Sequence, residues 1–344
     1  MTGPRILFVA DAGPKVGGGH VMRSLTLARA LEAKGASFAF LAPPAVSALL
    51  EAFAPDVARL PAAATDPQAL GASMIPQLFD AFVFDHYRLT YADQRGVAGA
   101  RPTLVIDDLA DRPLSADLIL DSGIARRATD YEGLHDGARL LLGPAYAPVR
   151  PEFAGLRERA LARRGLPVQR VLVSMGLTDV GGVTSRVVER LRPKVGDFAF
   201  DIVLGAEAPS LSGLTRVARR DPRLQIHVDS QEMARLTLAA DIGVGAAGSS
   251  LWERCVLGLP SVVVVLAENQ RPAAQALAEQ GAVLAVDAEA DNFDAQMDRA
   301  LMRLLTDADL RRSLAAASAQ VCDGRGAERV ADVFLRLVAE RTPA

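Results

Sequence analysis

The sequence predicts an α/β protein built as two doubly wound halves, and three observations carry that expectation. Short apolar runs alternate with helical periods from end to end. Many of the runs are continuously apolar, as strands of a parallel sheet covered on both faces must be. At 344 residues the chain exceeds one ordinary core, so two domains of about 150 residues each are expected.

The predicted strands of the first half are Ile6–Ala10, Phe38–Ala42, Ala81–Asp85, Thr103–Asp107 and Leu118–Leu120. Between the first two, Leu25, Leu27, Ala28 and Leu31 keep a helical spacing that opens at His20. The alternation breaks at Leu142-Gly143-Pro144-Ala145-Tyr146-Ala147-Pro148-Val149-Arg150-Pro151, a stretch rich in Gly and Pro, and a charged helical segment, 152–164, follows. A second series then runs Arg170–Ser174, Phe200–Leu204, Leu224–Val228, Ile242–Val244, Ser261–Val265 and Val283–Val286. The expected domains are therefore 1–150 and 165–325. A last helix in 326–344, with Val330, Val333, Leu335 and Leu337 in period, would pack on one half or span both. In open parallel sheets ligands bind beyond the carboxyl ends of the strands, so the two Rossmann-like halves are expected to face a cleft.

Composition excludes several function classes. The net charge of -3 gives no basic face for nucleic acid. Cys255 and Cys322 fit neither a redox pair nor a metal motif, and the four histidines lack zinc spacing. The first apolar run is too short for a secretory signal, and Val256–Ala267 is broken by Gly258 and Pro260. The expectation is a cytoplasmic protein without nucleic-acid or membrane partners; its oligomeric state is unset by the sequence.

Two loops carry the chemistry. In the first, strand Ile6–Ala10 runs into Gly17-Gly18-Gly19-His20, followed by Arg23. Three glycines let a backbone approach a ligand, and the helix start behind them offers N–H groups to an anion. His20 in that place can accept a proton near neutral pH. The turn lacks the last glycine of a dinucleotide fingerprint, where Met22 stands, and the Gly-Lys-Ser/Thr of a P-loop. In the second, Gly245-Ala246-Ala247-Gly248-Ser249-Ser250-Leu251-Trp252-Glu253 follows Ile242–Val244. Ser249 or Ser250 can cap the helix or bond a phosphate oxygen, and Glu253 can accept from both hydroxyls of a ribose. Glu253 could equally complement the helix dipole.

Other polar groups close strands. Asp85-His86-Tyr87 and Asp107-Asp108-Leu109-Ala110-Asp111-Arg112 lie at strand ends, where the aspartates either bind or cap turns and pair with Arg112. Ser174-Met175-Gly176-Leu177-Thr178-Asp179 is placed to meet a nucleotide. Asn269-Gln270 could meet a phosphate or sugar, or cap the helix that starts at Arg271-Pro272. Asp307-Ala308-Asp309 superficially matches a metal motif of sugar transferases, but its place at a helix start argues for capping. No divalent-metal site and no cofactor is expected.

Taken in order, these segments resemble the UDP-2,4-diacetamido-2,4,6-trideoxy-β-L-altropyranose hydrolases of pseudaminic acid biosynthesis. The resemblance rests on Gly17 to Arg23, Asp85-His86-Tyr87, Asp107 to Arg112 and Leu142 to Pro151. It continues in Gly245 to Glu253 with Arg254-Cys255-x-Leu257-Gly258-x-Pro260, and in Asn269-Gln270. It implies the two-domain glycosyltransferase B (GT-B) fold, with His20 and Tyr87 catalytic and the second half holding UDP. Gly17, Gly18, Gly19, Arg23, Gly248, Ser249, Ser250, Glu253 and Asn269 would bind UDP or the sugar. The chain departs from that pattern at Gly176-Leu177-Thr178-Asp179, where Gly-Gly-x-Asp is usual, and at Ala247, where glycine is usual. The rival expectations are a UDP-amino-sugar transferase of the same fold and a non-catalytic nucleotide-sugar binding module. A transferase should show an acceptor patch, and the sequence between Gly35 and Asp80 displays none.

Overall fold

The computed structural model describes residues 3–14, 16–194 and 196–341; Lys15 of the first loop and the end of the 326–344 segment lie outside them. The chain divides into two compact units. One comprises Met1–Val149 with Arg325–Ala344, and the other Arg150–Gly324. The second unit is thus an insertion between the body of the first and its last helix.

The first unit runs β1 (Arg5–Ala10), α1 (Gly19–Glu32), β2 (Ser37–Ala42), α2 (Pro44–Phe53), β3 (Arg59–Pro61), α3 (Pro67–Ser73), β4 (Ala81–Asp85), α4 (Tyr91–Ala98), β5 (Thr103–Ile106), β6 (Leu118–Asp121) and β7 (Arg139–Leu142). Its seven strands are all parallel in the order β3-β2-β1-β4-β5-β6-β7. The second unit runs α5 (Pro151–Leu161), β8 (Arg170–Ser174), α6 (Val183–Leu191), β9 (Ala199–Leu204), α7 (Leu211–Ala218), β10 (Leu224–Val228), α8 (Met233–Ala239), β11 (Ile242–Ala246), α9 (Ser250–Val256), β12 (Ser261–Val265), α10 (Arg271–Glu279), β13 (Leu284–Asp287), α11 (Phe293–Thr306) and α12 (Ala308–Val321). Its six strands, also parallel, follow β10-β9-β8-β11-β12-β13. The chain closes with α13 (Gly326–Arg341).

Each sheet is buried on both faces, which is why its strands read as unbroken apolar runs. In β1, Ile6 and Phe8 pack on one side with Phe40 and Val46, while Leu7 and Val9 pack on the other with Phe82 and Phe84. Phe8 stacks on Phe40 at 5.1 Å between ring centroids. In the second unit Val171 and Val173 face α6 and α11, and Leu172 faces Leu236 and Leu259.

Strands β3 and β7 were not anticipated. Arg59–Pro61 is three residues at an edge, too short to show a period, and Arg139–Leu142 runs straight into the Gly/Pro stretch that reads as a boundary. Helix α13 belongs to the first unit. Val330, Ala331, Phe334 and Val338 enter the same core as β1 and α1, and Arg329 donates to the Ala145 carbonyl at 2.9 Å. A side chain at Gly326 would collide with the backbone at Ala147, so only glycine lets the helix begin there.

In both sheets the strand order reverses beside the first strand, between β1 and β4 and between β8 and β11. These are the topological switch points, where loops diverge and leave room for a ligand. The two sequence loops singled out above follow β1 and β11.

Candidate functional site

At the first switch point, Ala10 pairs with Asp85, so the glycine turn and the end of β4 lie side by side. Gly17 has a φ of 82°, and its N–H donates to the Gly13 carbonyl at 2.7 Å. Gly18 precedes α1 without a side-chain cap, and the first helical turn holds no acid. The turn delivers His20 to Asp85: His20 Nδ1 is 2.7 Å from Asp85 Oδ1 and 3.1 Å from the Asp85 carbonyl oxygen. The carbonyl can only accept, so Nδ1 carries the hydrogen and Nε2 is left as the basic nitrogen.

Asp85 is fully buried, yet its carboxylate receives four side-chain donors. These are His20 Nδ1, Arg23 Nε at 2.7 Å, Arg23 Nη2 at 2.6 Å and Ser24 Oγ at 3.1 Å. Burial opposes its ionisation, but Arg23 and then His20 outweigh that and hold its carboxyl well below the usual carboxylate range. The third arm of Arg23 reaches Asp108: Nη1 donates to Oδ2 at 2.8 Å. Asp108 in turn accepts from the Tyr87 hydroxyl at 2.7 Å, and the Tyr87 ring stands edge-on to His20, 4.4 Å away. Burial and the neighbouring Asp108 push the Tyr87 phenol far above its ordinary range, so it works as a neutral hydroxyl. Arg23, expected among the ligand-binding residues, is committed to these two carboxylates. Two negative charges stand against one guanidinium, which leaves one to stabilise an imidazolium once His20 takes up a proton.

Sequence reasoning named His20, Tyr87 and Arg23 as site residues and read Asp85 and Asp108 as either binding or capping turns; the structure gives them a third part, holding His20, Arg23 and Tyr87. Both sit where strands end, as the sequence places them, but their partners lie on other elements. The neighbouring Asp107 takes the structural role. It accepts from Arg112 at 2.9 Å, from the N–H of Ala110 at 2.8 Å and from Tyr131 at 2.9 Å.

In the second unit the turn after β11 brings Gly248, Ser249 and Ser250 to the start of α9. Of the two readings of these serines, helix cap or phosphate ligand, the cap is not formed. Ser249 makes no side-chain cap bond, and Ser250 Oγ instead accepts from Arg254 Nη1 at 3.2 Å. Among the described residues the N–H groups of Gly248, Ser249 and Ser250 meet no acceptor. Ala247 fits without glycine's freedom, since its φ is negative and its N–H extends the ladder to Val264 at 2.9 Å. Glu253, one turn on, is held by Arg150, whose Nε and Nη2 lie 2.9 and 2.8 Å from Oε1. Nothing in the sequence spacing links these two, which stand 103 positions apart. Trp252 is buried in packing.

Asn269 lies in the short 3-10 turn Glu268–Gln270 after β12. Its neighbour Gln270 does not cap α10. Its Oε1 accepts from the Leu266 N–H at 3.0 Å, and its amide nitrogen lies 3.8 Å from where a Cβ on Gly248 would sit. Asp179, expected near a nucleotide, is fully buried with a φ of 43°. It accepts from Thr184 N and Oγ1 at 2.9 and 2.6 Å and from Ser210 N at 3.1 Å, so it ties the loop to α6 and α7. Asp307 caps α12 by accepting from Leu310 N at 2.9 Å.

Comparison with known proteins bears on the fold. The chain aligns with Acinetobacter baumannii MurG at a TM-score of 0.64 and 16% identity, covering 97% of this chain and 99% of that one. The fold is GT-B. The family described as "Glycosyltransferase family 28 C-terminal domain" matches residues 215–329, which include the β11 turn and Glu253. The spore coat polysaccharide biosynthesis protein SpsG of Bacillus subtilis is 26% identical over 198 residues, 57% of this chain and 58% of its own length. The UDP-2,4-diacetamido-2,4,6-trideoxy-beta-L-altropyranose hydrolase of Campylobacter jejuni is 24% identical over 281 residues, 80% of this chain and 97% of that protein. No described helix is long and apolar enough to cross a membrane.

Proposed function

We propose that the protein hydrolyses UDP-linked 2,4-diacetamido-2,4,6-trideoxy-L-altropyranose at the anomeric C–O bond. The products are UDP and 2,4-diacetamido-2,4,6-trideoxy-L-altrose, a precursor for pseudaminic acid on flagellin or surface glycans. The observation that carries this reading is the Asp85–His20 pair, which fixes the ring and leaves Nε2 as a base. The activity named for the Campylobacter jejuni relative supports it.

In this reading Glu253 accepts from the ribose through Oε2, because Arg150 occupies Oε1. The N–H groups of Gly248, Ser249 and Ser250 meet the diphosphate, while Tyr87 and Asn269 contact sugar and diphosphate. Gly17, Gly18 and Gly19 let the backbone pass close to the sugar. The water oxygen bonds to C1 as the C1–O bond to the β-phosphate breaks. That electron pair leaves with UDP, and a water proton passes to His20 Nε2. UDP departs without a protonating acid, so a second catalytic carboxylate is not needed. N–H donors meet the growing charge, and the reaction is proposed to run without a metal.

A second reading, transfer of the sugar to an acceptor hydroxyl, draws on the family 28 match. Ile75 and Leu78, 48% and 44% exposed, also offer apolar surface in the segment where the sequence displayed none. The test is to incubate the protein with the UDP-diacetamido sugar, EDTA and no acceptor, in labelled water. Hydrolysis predicts UDP and free sugar carrying the label; label in UDP, or release only on adding an acceptor, overturns it. His20→Ala should abolish turnover by orders of magnitude while UDP still binds.

A further inference from the structure

Arg254 is 4% exposed and has no carboxylate within ion-pairing distance among the described residues. Its Nη2 donates to the Ala246 carbonyl at 2.6 Å and its Nη1 to Ser250 Oγ at 3.2 Å, while Nε has no partner. Arg311, the other buried arginine among the described residues, sits on the Leu304 carbonyl near the negative end of α11, and its Nε likewise has no partner. Arg254 instead bridges the two sides of the β11 turn. The nearest acid in sequence, Glu253, is taken by Arg150, and burial pushes the Cys255 thiol up to about 12, which leaves it uncharged. Burial pulls Arg254 down to about 10, so it stays a cation at neutral pH.

The strand leaves room for this cation at Gly245. β11 reads Ile-Gly-Val-Gly-Ala, and both glycines line the side where the arginine lies. A Cβ on Gly245 would stand 2.5 Å from Nη1, 2.8 Å from Cζ and 2.8 Å from the Ser174 carbonyl oxygen, while one on Gly243 would meet Leu259 Cδ2 at 2.8 Å and Ser261 Oγ at 2.9 Å before Arg254 Cδ at 3.4 Å. Two glycines in a buried strand weaken it, and an unpaired buried guanidinium weakens it further. An apolar side chain in place of the guanidinium would avoid the second loss. What the arrangement supplies is a positive charge bonded to Ala246 and Ser250, the two ends of the turn that carries the free N–H groups of Gly248, Ser249 and Ser250.

We propose that Arg254 is a positioning residue whose buried charge prepares the Ala246–Ser250 turn for the diphosphate of a nucleotide. The proposal rests on the reading of this turn as the nucleotide site. The diphosphate provides the counter-charge that the folded chain withholds, and the bonds to Ala246 and Ser250 keep the turn open for it.

The test is calorimetric titration of the full-length protein with UDP and with uridine. Arg254→Met should weaken UDP about tenfold or more and leave uridine within about twofold, as loss of a buried positive charge that holds the turn implies. Arg254→Lys keeps the charge but cannot span both acceptors, and should hold UDP within about threefold. Equal losses for UDP and uridine, unchanged UDP affinity in Arg254→Met, or Arg254→Lys as damaged as Arg254→Met each overturn the proposal. Arg254→Gln, neutral and still able to bond Ala246, replaces the Met variant if that one does not fold. A wild-type protein that fails to bind UDP overturns the nucleotide reading itself, and this proposal with it, before any variant is compared.

Discussion

At the scale of residues, the first unit invests most in Asp85. A carboxylate taken wholly out of water costs several kcal/mol, and four donors from His20, Arg23 and Ser24 offset it. Removing its charge should therefore be felt in two ways. Asp85→Asn should lower kcat about a hundredfold or more with UDP affinity unchanged, because the wrong His20 tautomer becomes accessible. It should also change the acid limb of stability. The folded-state pKa of Asp85 lies below the unfolded value, so its ionisation contributes stability above about pH 4 that is lost as pH falls further. Thermal melts between about pH 5 and pH 2.5 should then fall less steeply in Asp85→Asn than in the wild type. In the second unit, Glu253→Ala should erase any preference for UDP over its 2′-deoxy analogue, measured by competitive binding. A preference that survives would assign the ribose to other groups.

Among elements, legibility in the sequence followed burial. Strands sandwiched between helices, such as Ala81–Asp85 and Ser261–Val265, announce themselves as unbroken apolar runs. The edge strand Arg59–Pro61 has neither the length nor the burial to do so. The loops were readable for a different reason, since glycines and serines at Gly17 to Gly19 and Gly248 to Ser250 stand between a strand and a helix start, although Gly245 and Ala246 belong to β11 itself. Partners across long separations were not readable. Arg23 reaches Asp85 and Asp108 from 62 and 85 positions away, pairings that only the folded sheet creates. Helix α13 shows the same limit, for its apolar period was plain while the core it enters was not. Phe334 is fully buried against α1 and β1, so Phe334→Ala should destabilise the first unit by about 3–5 kcal/mol, read from urea denaturation. Gly245→Ala would press on the Arg254 guanidinium and should cost about 1–3 kcal/mol in the same measurement on the second unit.

For the whole molecule, the division into Arg150–Gly324 and the remainder has an experimental consequence. The inserted unit carries its own sheet and its own cores, so residues 150–324 should fold when expressed alone. The one tryptophan of the chain, Trp252, is buried inside that unit and reports on it alone. The fragment should show blue-shifted emission, lose it in one cooperative denaturant transition, and bind UDP. Emission of an exposed indole from the fragment would mean that the unit needs the remainder to fold.

The place of α13 also bears on how the protein is made. Synthesis delivers β1 to β7 first, yet Val330, Ala331, Phe334 and Val338, which cover part of that sheet, leave the ribosome after the entire second unit. The usual order, in which the amino-terminal domain is finished first, is therefore reversed. While the second unit is translated and folds, the nascent first unit carries an apolar face with its cover missing. That interval is when holding chaperones would find it, and synonymous codon changes that slow elongation across α5 to α12 would lengthen the exposure.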